Sequence, residues 1–120
     1  MGLPITQGET TLPASEALRF EDLIAYAPHG IASRVLAKTG GGNVTIFAFE
    51  KGQGLTEHTS PFDALVFILE GSMTLTIGGK PVTAPAGGVT RMPAGVPHAL
   101  EAVERTRMLL VMLREAKAQG

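Results

Sequence analysis

The chain contains no cysteine and no tryptophan, and only one tyrosine and five phenylalanines among its 120 residues. Without cysteine there are no disulfides, no thiolate metal sites and no cysteine nucleophile, so any metal ion must be held by histidine, carboxylate or water. An excess of charge of one sign is also missing. Ten Lys and Arg residues face eleven Asp and Glu residues at a net charge of −1, which leaves no broad basic field to attract nucleic acid or anionic lipid. No apolar run approaches the roughly eighteen residues of a membrane span. The opening MGLPITQGETTLPASE has neither a basic start nor an apolar stretch of secretory length. A soluble, cytoplasmic protein with no nucleic-acid and no membrane partner is the expectation. The length suits one hydrophobic core rather than two.

Glycine and proline are plentiful, fifteen and eight respectively, and they cut the chain into pieces too short for most helices. Ser72 to Ile77 alternates polar and apolar residues, the period of a half-buried strand. Gly78-Gly79 follows as a two-residue hairpin turn, since both positions tolerate positive φ, and Lys80 to Ala84 returns. Ile31 to Lys38 and Val44 to Glu50 read as a second hairpin around a loop at 39–43. Ala64 to Leu69 and Met108 to Leu113 are apolar throughout, so both faces of these strands must be covered. A second sheet can cover one face and a second subunit the other; a homodimer is expected. Ser15 to Ala27 reads as an irregular lead-in with at most a turn or two of helix. The class is all-β.

Two histidines stand inside glycine-framed segments. The first frame runs from Gly52 through His58, Ser60 and Ala64 to Gly71; the second runs from Gly87 through Pro93, Gly95 and His98 to Ala102. Alternation puts His58 and Ser60 on one side of an extended segment, with Glu57 and Thr59 on the other. Pro93 and Gly95 make a turn that delivers His98 to the start of a strand with its backbone constrained on both sides. Each histidine also has a simpler reading, a polar side chain satisfied in a pocket wall or at a barrel rim. His29 reads as a loop residue, Tyr26 as a half-buried surface residue and Arg91 as an outward ion-pair partner. Arg105 and Arg107 solubilise the last strand, and Met73, Met92, Met108 and Met112 fill the core or an interface.

At every spacing these two frames resemble the cupin superfamily, over roughly residues 44 to 113. The resemblance implies a cupin-type double-stranded β-helix, a jelly-roll barrel, with residues 1–30 as a lead-in packed on it, 31–114 as the barrel and 115–120 as a tail. It further implies that the positions of His58, Ser60 and Ala64 would be His, His and Glu in a metal-binding member, with His98 as fourth ligand. Only His58 and His98 remain. Asp63, one residue before the glutamate position, completes two histidines and a carboxylate if Pro61-Phe62 shifts the chain by one residue. Alternation opposes this by turning Asp63 and Ala64 to opposite sides. If a metal is bound, the candidate set is His58, His98 and Asp63, for one divalent transition metal such as zinc, iron, manganese or nickel.

Three functions stay open. The first is a small-molecule-binding barrel with its pocket around His58, Ser60 and His98. The second is a metal-dependent oxygenase or isomerase acting on a small oxygenated substrate. The third is metal-free acid/base catalysis by His98 with a partner across the pocket, for which Tyr26 is the only tyrosine in the chain. The barrel hosts too many chemistries for the fold to choose between them.

Overall fold

The structure is a computed structural model and describes residues 7–8 and 11–114. The expected tail, 115–120, lies outside the described residues. Helix among the described residues is limited to one 3-10 turn, Phe20–Asp22, inside the irregular lead-in.

Among the described residues, ten strands form two sheets. The larger sheet has the order β1 (Gln7–Gly8), β2 (Ile31–Thr39), β3 (Gly42–Phe49), β10 (Thr106–Leu113), β5 (Asp63–Glu70) and β8 (Val89–Met92). The smaller has β4 (Gly54–His58), β9 (His98–Ala102), β6 (Ser72–Ile77) and β7 (Lys80–Pro85). All pairings are antiparallel except β1 with β2. The order within each sheet, with sequence neighbours repeatedly placed in opposite sheets, is that of a jelly roll.

The alternation seen in the sequence becomes the division between inside and outside. Met73 and Leu75 of β6 are fully buried, while Thr74 and Thr76 face outward from the same strand. Gly78 and Gly79 turn this hairpin at φ 59° and 84°, a combination that a primed two-residue turn demands. In the β2–β3 hairpin the strands run further than the spacing suggests. Thr39 pairs with Gly42, so the loop shrinks to Gly40-Gly41.

Between the sheets lies the main core, which includes Phe49, Val66, Ile68, Met73, Leu75, Leu100 and Met108. A second cluster lies on the outer face of the larger sheet, where Ile46, Ala48, Leu69 and Leu109 meet Phe20, Leu23, Ile24 and Tyr26 of the lead-in. The apolar outer faces of β5 and β10 are thus covered in part by the chain's own N-terminal segment. Beyond its reach, Leu65, Phe67 and Val111 are only half-buried and Val89 is 56% exposed.

An ionic and aromatic clamp fastens the lead-in. The Tyr26 hydroxyl donates to Glu70 Oε2 at 2.6 Å, and the guanidinium groups of Arg105 and Arg107 lie 4.5 and 4.4 Å from its ring centroid. Arg107 also donates to the carbonyl of Ile24 at 3.0 Å and to Glu70, while Arg105 grips Glu50 with two nitrogens. Burial and the neighbouring Glu70 carboxylate push the Tyr26 phenol well above its ordinary value. The arginines expected to solubilise the last strand instead hold two parts of the chain together. Their long apolar stems and planar heads suit them to stacking on a ring.

Candidate functional site

His58 ends β4 and His98 begins β9, and the two residues are cross-strand partners. Leu55 pairs with Leu100 in the same ladder. Two residues, Thr56 and Glu57, therefore oppose the single Ala99 between these pairs. This β-bulge cancels the alternation that would turn His58 away from the side Leu55 faces. It brings the rings within 4.4 Å, centroid to centroid, at 72° to each other. Gly54 lets the two strands approach, because a Cβ there would stand 2.0 Å from the carbonyl oxygen of Leu100.

Main-chain bonds on two sides brace the loop that carries His98. Gly95 N–H donates to the Ser60 carbonyl at 2.9 Å, and Gly78 N–H donates to the Pro97 carbonyl at 2.8 Å. His98 is 5% exposed, whereas His58 is exposed at the rim. Burial lowers the His98 pKa below the ordinary histidine value; the nearby His58 acts in the same direction, and the bond to Val96 opposes both.

Hydrogen bonding sets the tautomers. His58 Nδ1 lies 2.8 Å from the Thr56 carbonyl and His98 Nδ1 lies 3.2 Å from the Val96 carbonyl. A carbonyl only accepts, so each Nδ1 carries the hydrogen, an assignment made from these partners. In a ring that is neutral Nε2 then presents a lone pair, and the two Nε2 atoms face each other at 3.1 Å. Two acceptors at this distance repel until a hydrogen-bond donor, a proton or a cation comes between them.

The rings share a cavity of about 50 Å³ with Ser60 and Ala64, above a floor that includes Leu100 and Leu110. Ser60 Oγ accepts from Phe62 N–H at 3.0 Å, which fixes the turn into β5. Asp63 is not at the cavity. Its carboxylate accepts from Arg91 Nε at 2.9 and 3.1 Å, and that bond holds it below the usual carboxylate range. The one-residue shift into the glutamate position does not occur, since Ala64 takes the buried place. Asp63 and Arg91 line a separate, open cleft of about 400 Å³. Glu57 and His29 are exposed.

The sequence matches the cupin domain family over residues 45–113. The chain is a member of the cupin family. A conserved protein of unknown function from Streptococcus pyogenes has the same architecture, with 33% identity and a TM-score of 0.84 over 90% of this cupin and 95% of that chain. A cupin superfamily protein from Desulfitobacterium hafniense shares 25% identity at a TM-score of 0.82, covering 88% and 97% of the two chains. A cupin 2 conserved barrel domain protein from Leptotrichia buccalis shares 34% identity at 0.73, over 78% of this chain and 45% of the other. No functionally curated protein matches this cupin. No helix among the described residues is long and apolar enough to cross a membrane.

Many cupins hold a divalent metal, and the donor set tests whether this one suits such an ion. Two nitrogens 3.1 Å apart subtend about 100° at an ion roughly 2.0–2.1 Å from each, so the pair has the bite of neighbouring metal ligands. The rest of a divalent cage is not there. Asp63 is tied to Arg91, and no group of three or more His, Cys, Asp or Glu residues stands together among the described residues. Zinc and similar ions in protein sites ordinarily take three or more such ligands. The residues present do not fit a resident divalent ion.

Sequence reasoning gave the methionines no role beyond packing, yet Met92, Met108 and Met112 line the histidine cavity. No signal in a single sequence marks them. Their place depends on which strands pair, and that is set at long range.

Proposed function

We propose that this cupin is a small-ligand-binding barrel whose recognition element is the pair of Nε2 atoms on His58 and His98. One observation carries the reading: both Nδ1–H groups are spent on main-chain carbonyls, so both remaining lone pairs converge on one cavity. Such a pair selects a ligand that offers an electron-pair acceptor, either a hydrogen-bond donor or a cation. The body of a larger ligand would rest outside against exposed His58, with the Ser60 hydroxyl free to donate to it. An oxygenase or isomerase reading would require a metal held by at least one more side chain, and Asp63 is occupied elsewhere.

Small alcohols, polyols, amines and hydroxy acids, titrated while the histidine ring resonances are observed by NMR, test the proposal. A true ligand moves both ring signals and is lost in His98→Ala. Binders that move only residues of the Asp63–Arg91 cleft, and survive His98→Ala, would refute it.

We also propose a homodimer that covers the outer apolar face left by the lead-in, around Leu65, Phe67, Val89 and Val111. The support is that this strip is continuous across paired strands, with Val111 opposite Leu65 and Val89 opposite Phe67.

A further inference from the structure

Asp63, Arg91 and Leu113 share the outer face of the larger sheet, away from the histidine cavity. Leu113 of β10 stands opposite Asp63 of β5, while Arg91 of β8 stands opposite Leu65, two residues on from Asp63. Residues two apart on a strand point to one face, so the Arg91 guanidinium meets Asp63 along the diagonal of the ladder. Beside this pair lies the open cleft of about 400 Å³, walled by Pro61, Pro93, Ala94 and Leu113 and reached by Arg114 as well. That volume falls in the range of small-ligand sites. None of Leu65, Phe67, Val89 or Val111, the apolar strip of the same face, lines it.

Both arginines are held in place with donors to spare. Arg91 spends only Nε on Asp63, whose two oxygens share that nitrogen at 2.9 and 3.1 Å. Its Nη1 and Nη2 donate to nothing among the described residues, and the bond at Nε fixes the plane in which they lie. Arg114 sets its guanidinium carbon 4.9 Å from the centroid of the Phe62 ring, a stacking contact that orders a cation without consuming its hydrogen-bond donors. It forms no ion pair among the described residues. The charges at the cleft therefore do not cancel, because Asp63 answers Arg91 and Arg114 is left over. Asp63 carries the same sign as an incoming anion, but its oxygens are taken up by Arg91 and by the Ala94 N–H. One further negative charge balances the site. Two free Nη groups in one plane match the two oxygens of a carboxylate, and the proline, alanine and leucine walls offer apolar surface to the body that carries it.

We propose that this cleft is a second ligand site, for a small monocarboxylate on an apolar body, with the carboxylate received by Nη1 and Nη2 of Arg91 and its charge balanced by Arg114. A phosphate dianion would overshoot the single uncompensated charge and set its oxygens against apolar walls. Asp63 is then a positioning residue that aims the Arg91 guanidinium. The histidine pair takes its ligand through a hydrogen-bond donor and this cleft through an anion, so the two sites are independent.

The test is a titration of the full chain with benzoate at constant ionic strength, followed by NMR of the arginine Nε–H groups and of the Ala94 and Leu113 amides. Benzamide, with the same ring and no charge, and inorganic phosphate, with charge and no apolar body, are the comparison probes. Benzoate should shift the Arg91 Nε–H signal saturably and leave the His58 and His98 ring signals unmoved. Benzamide should do neither. Affinity for benzoate should fall about tenfold or more in Arg91→Lys, which keeps the charge and loses the planar fork, and about threefold or more in Arg114→Gln. The comparison of benzoate with benzamide on the wild-type chain does not depend on any variant folding. Equal responses to benzoate and benzamide would overturn the proposal, as would phosphate binding as tightly as benzoate. So would the absence of a saturable response, a response confined to the histidine rings, or unchanged affinity in both variants. Benzoate offers no hydrogen-bond donor to an imidazole, so its failure to bind would strike the cleft and leave the reading of the histidine pair standing.

Discussion

His58 and His98 lie opposite each other although His58 is three residues from Leu55 and His98 only two from Leu100. The bulge absorbs the extra residue of β4 and so keeps His58 facing its partner. Deleting Glu57 should leave His58 two residues from Leu55, so that plain alternation holds it on the same side without a bulge. The variant should keep the circular dichroism of a β protein and the contact between the two rings, read as through-space NMR contacts between them. Loss of the ring contact after the deletion would show that the bulge itself is needed to aim His58.

Buried His98 gives stability a pH dependence of known sign. Its folded pKa lies below the ordinary 6.5, so between the two values the unfolded chain binds more protons than the folded one. Stability is full above that ordinary value and falls as the pH drops through the window beneath it. Urea unfolding between pH 8 and 5 should show this decline, with a smaller slope in His98→Gln. Asp63 and Glu50 act in a separate, more acidic window, because their depressed carboxylate pKa values put their loss below the ordinary carboxylate range. Equal slopes for wild type and His98→Gln would contradict the assignment of the decline to His98.

Gly54 has no room for a side chain, since its Cβ would stand 2.0 Å from the Leu100 carbonyl oxygen. Backbone atoms cannot move aside as a flexible side chain can. Gly54→Ala should therefore destabilise the fold by about 2 kcal/mol or more, measured by the shift in urea midpoint. A loss below about 0.5 kcal/mol would mean that β4 and β9 separate easily.

Tyr26→Phe removes the hydroxyl bonded to Glu70 and leaves the ring between the arginines. A loss of about 1.5–3 kcal/mol is expected, the range for a hydrogen bond to a charged group. Tyr26→Ala should cost more and should expose the lead-in to limited proteolysis. Equal effects of the two changes would show that the ring contributes nothing beyond its hydroxyl.

Phe67 and Val89 test the proposed dimer. Sedimentation at micromolar concentration should give twice the chain mass for the wild type and the chain mass for Phe67→Lys. A wild-type monomer would refute the assembly.

Much of the architecture was legible. Strict alternation at Ser72–Ile77 and the Gly78-Gly79 turn specify their hairpin locally, and the glycine frames around His58 and His98 pointed to the barrel. Features set by pairing between distant strands were not legible. The bulge at Thr56-Glu57 exists only relative to Ala99, the row of Met112, Ala64 and Met92 only once β10, β5 and β8 are neighbours. Arg107 looked like a solubilising charge because nothing near it in sequence reveals that Tyr26 and Glu70 surround it. Asp63 stood close to the glutamate position in sequence, but one residue along a strand reverses the face, and Arg91 on the neighbouring strand holds it there.

The account depends most on the protonation of two rings. Long-range proton–nitrogen correlation NMR of the histidine side chains at pH 8 reports which nitrogen of each ring carries hydrogen. The expected spectrum shows Nδ1–H with bare Nε2 for both His58 and His98. A hydrogen on Nε2 of either ring would mean that one imidazole simply donates to the other, and the converging lone pairs from which the binding site was argued would not exist.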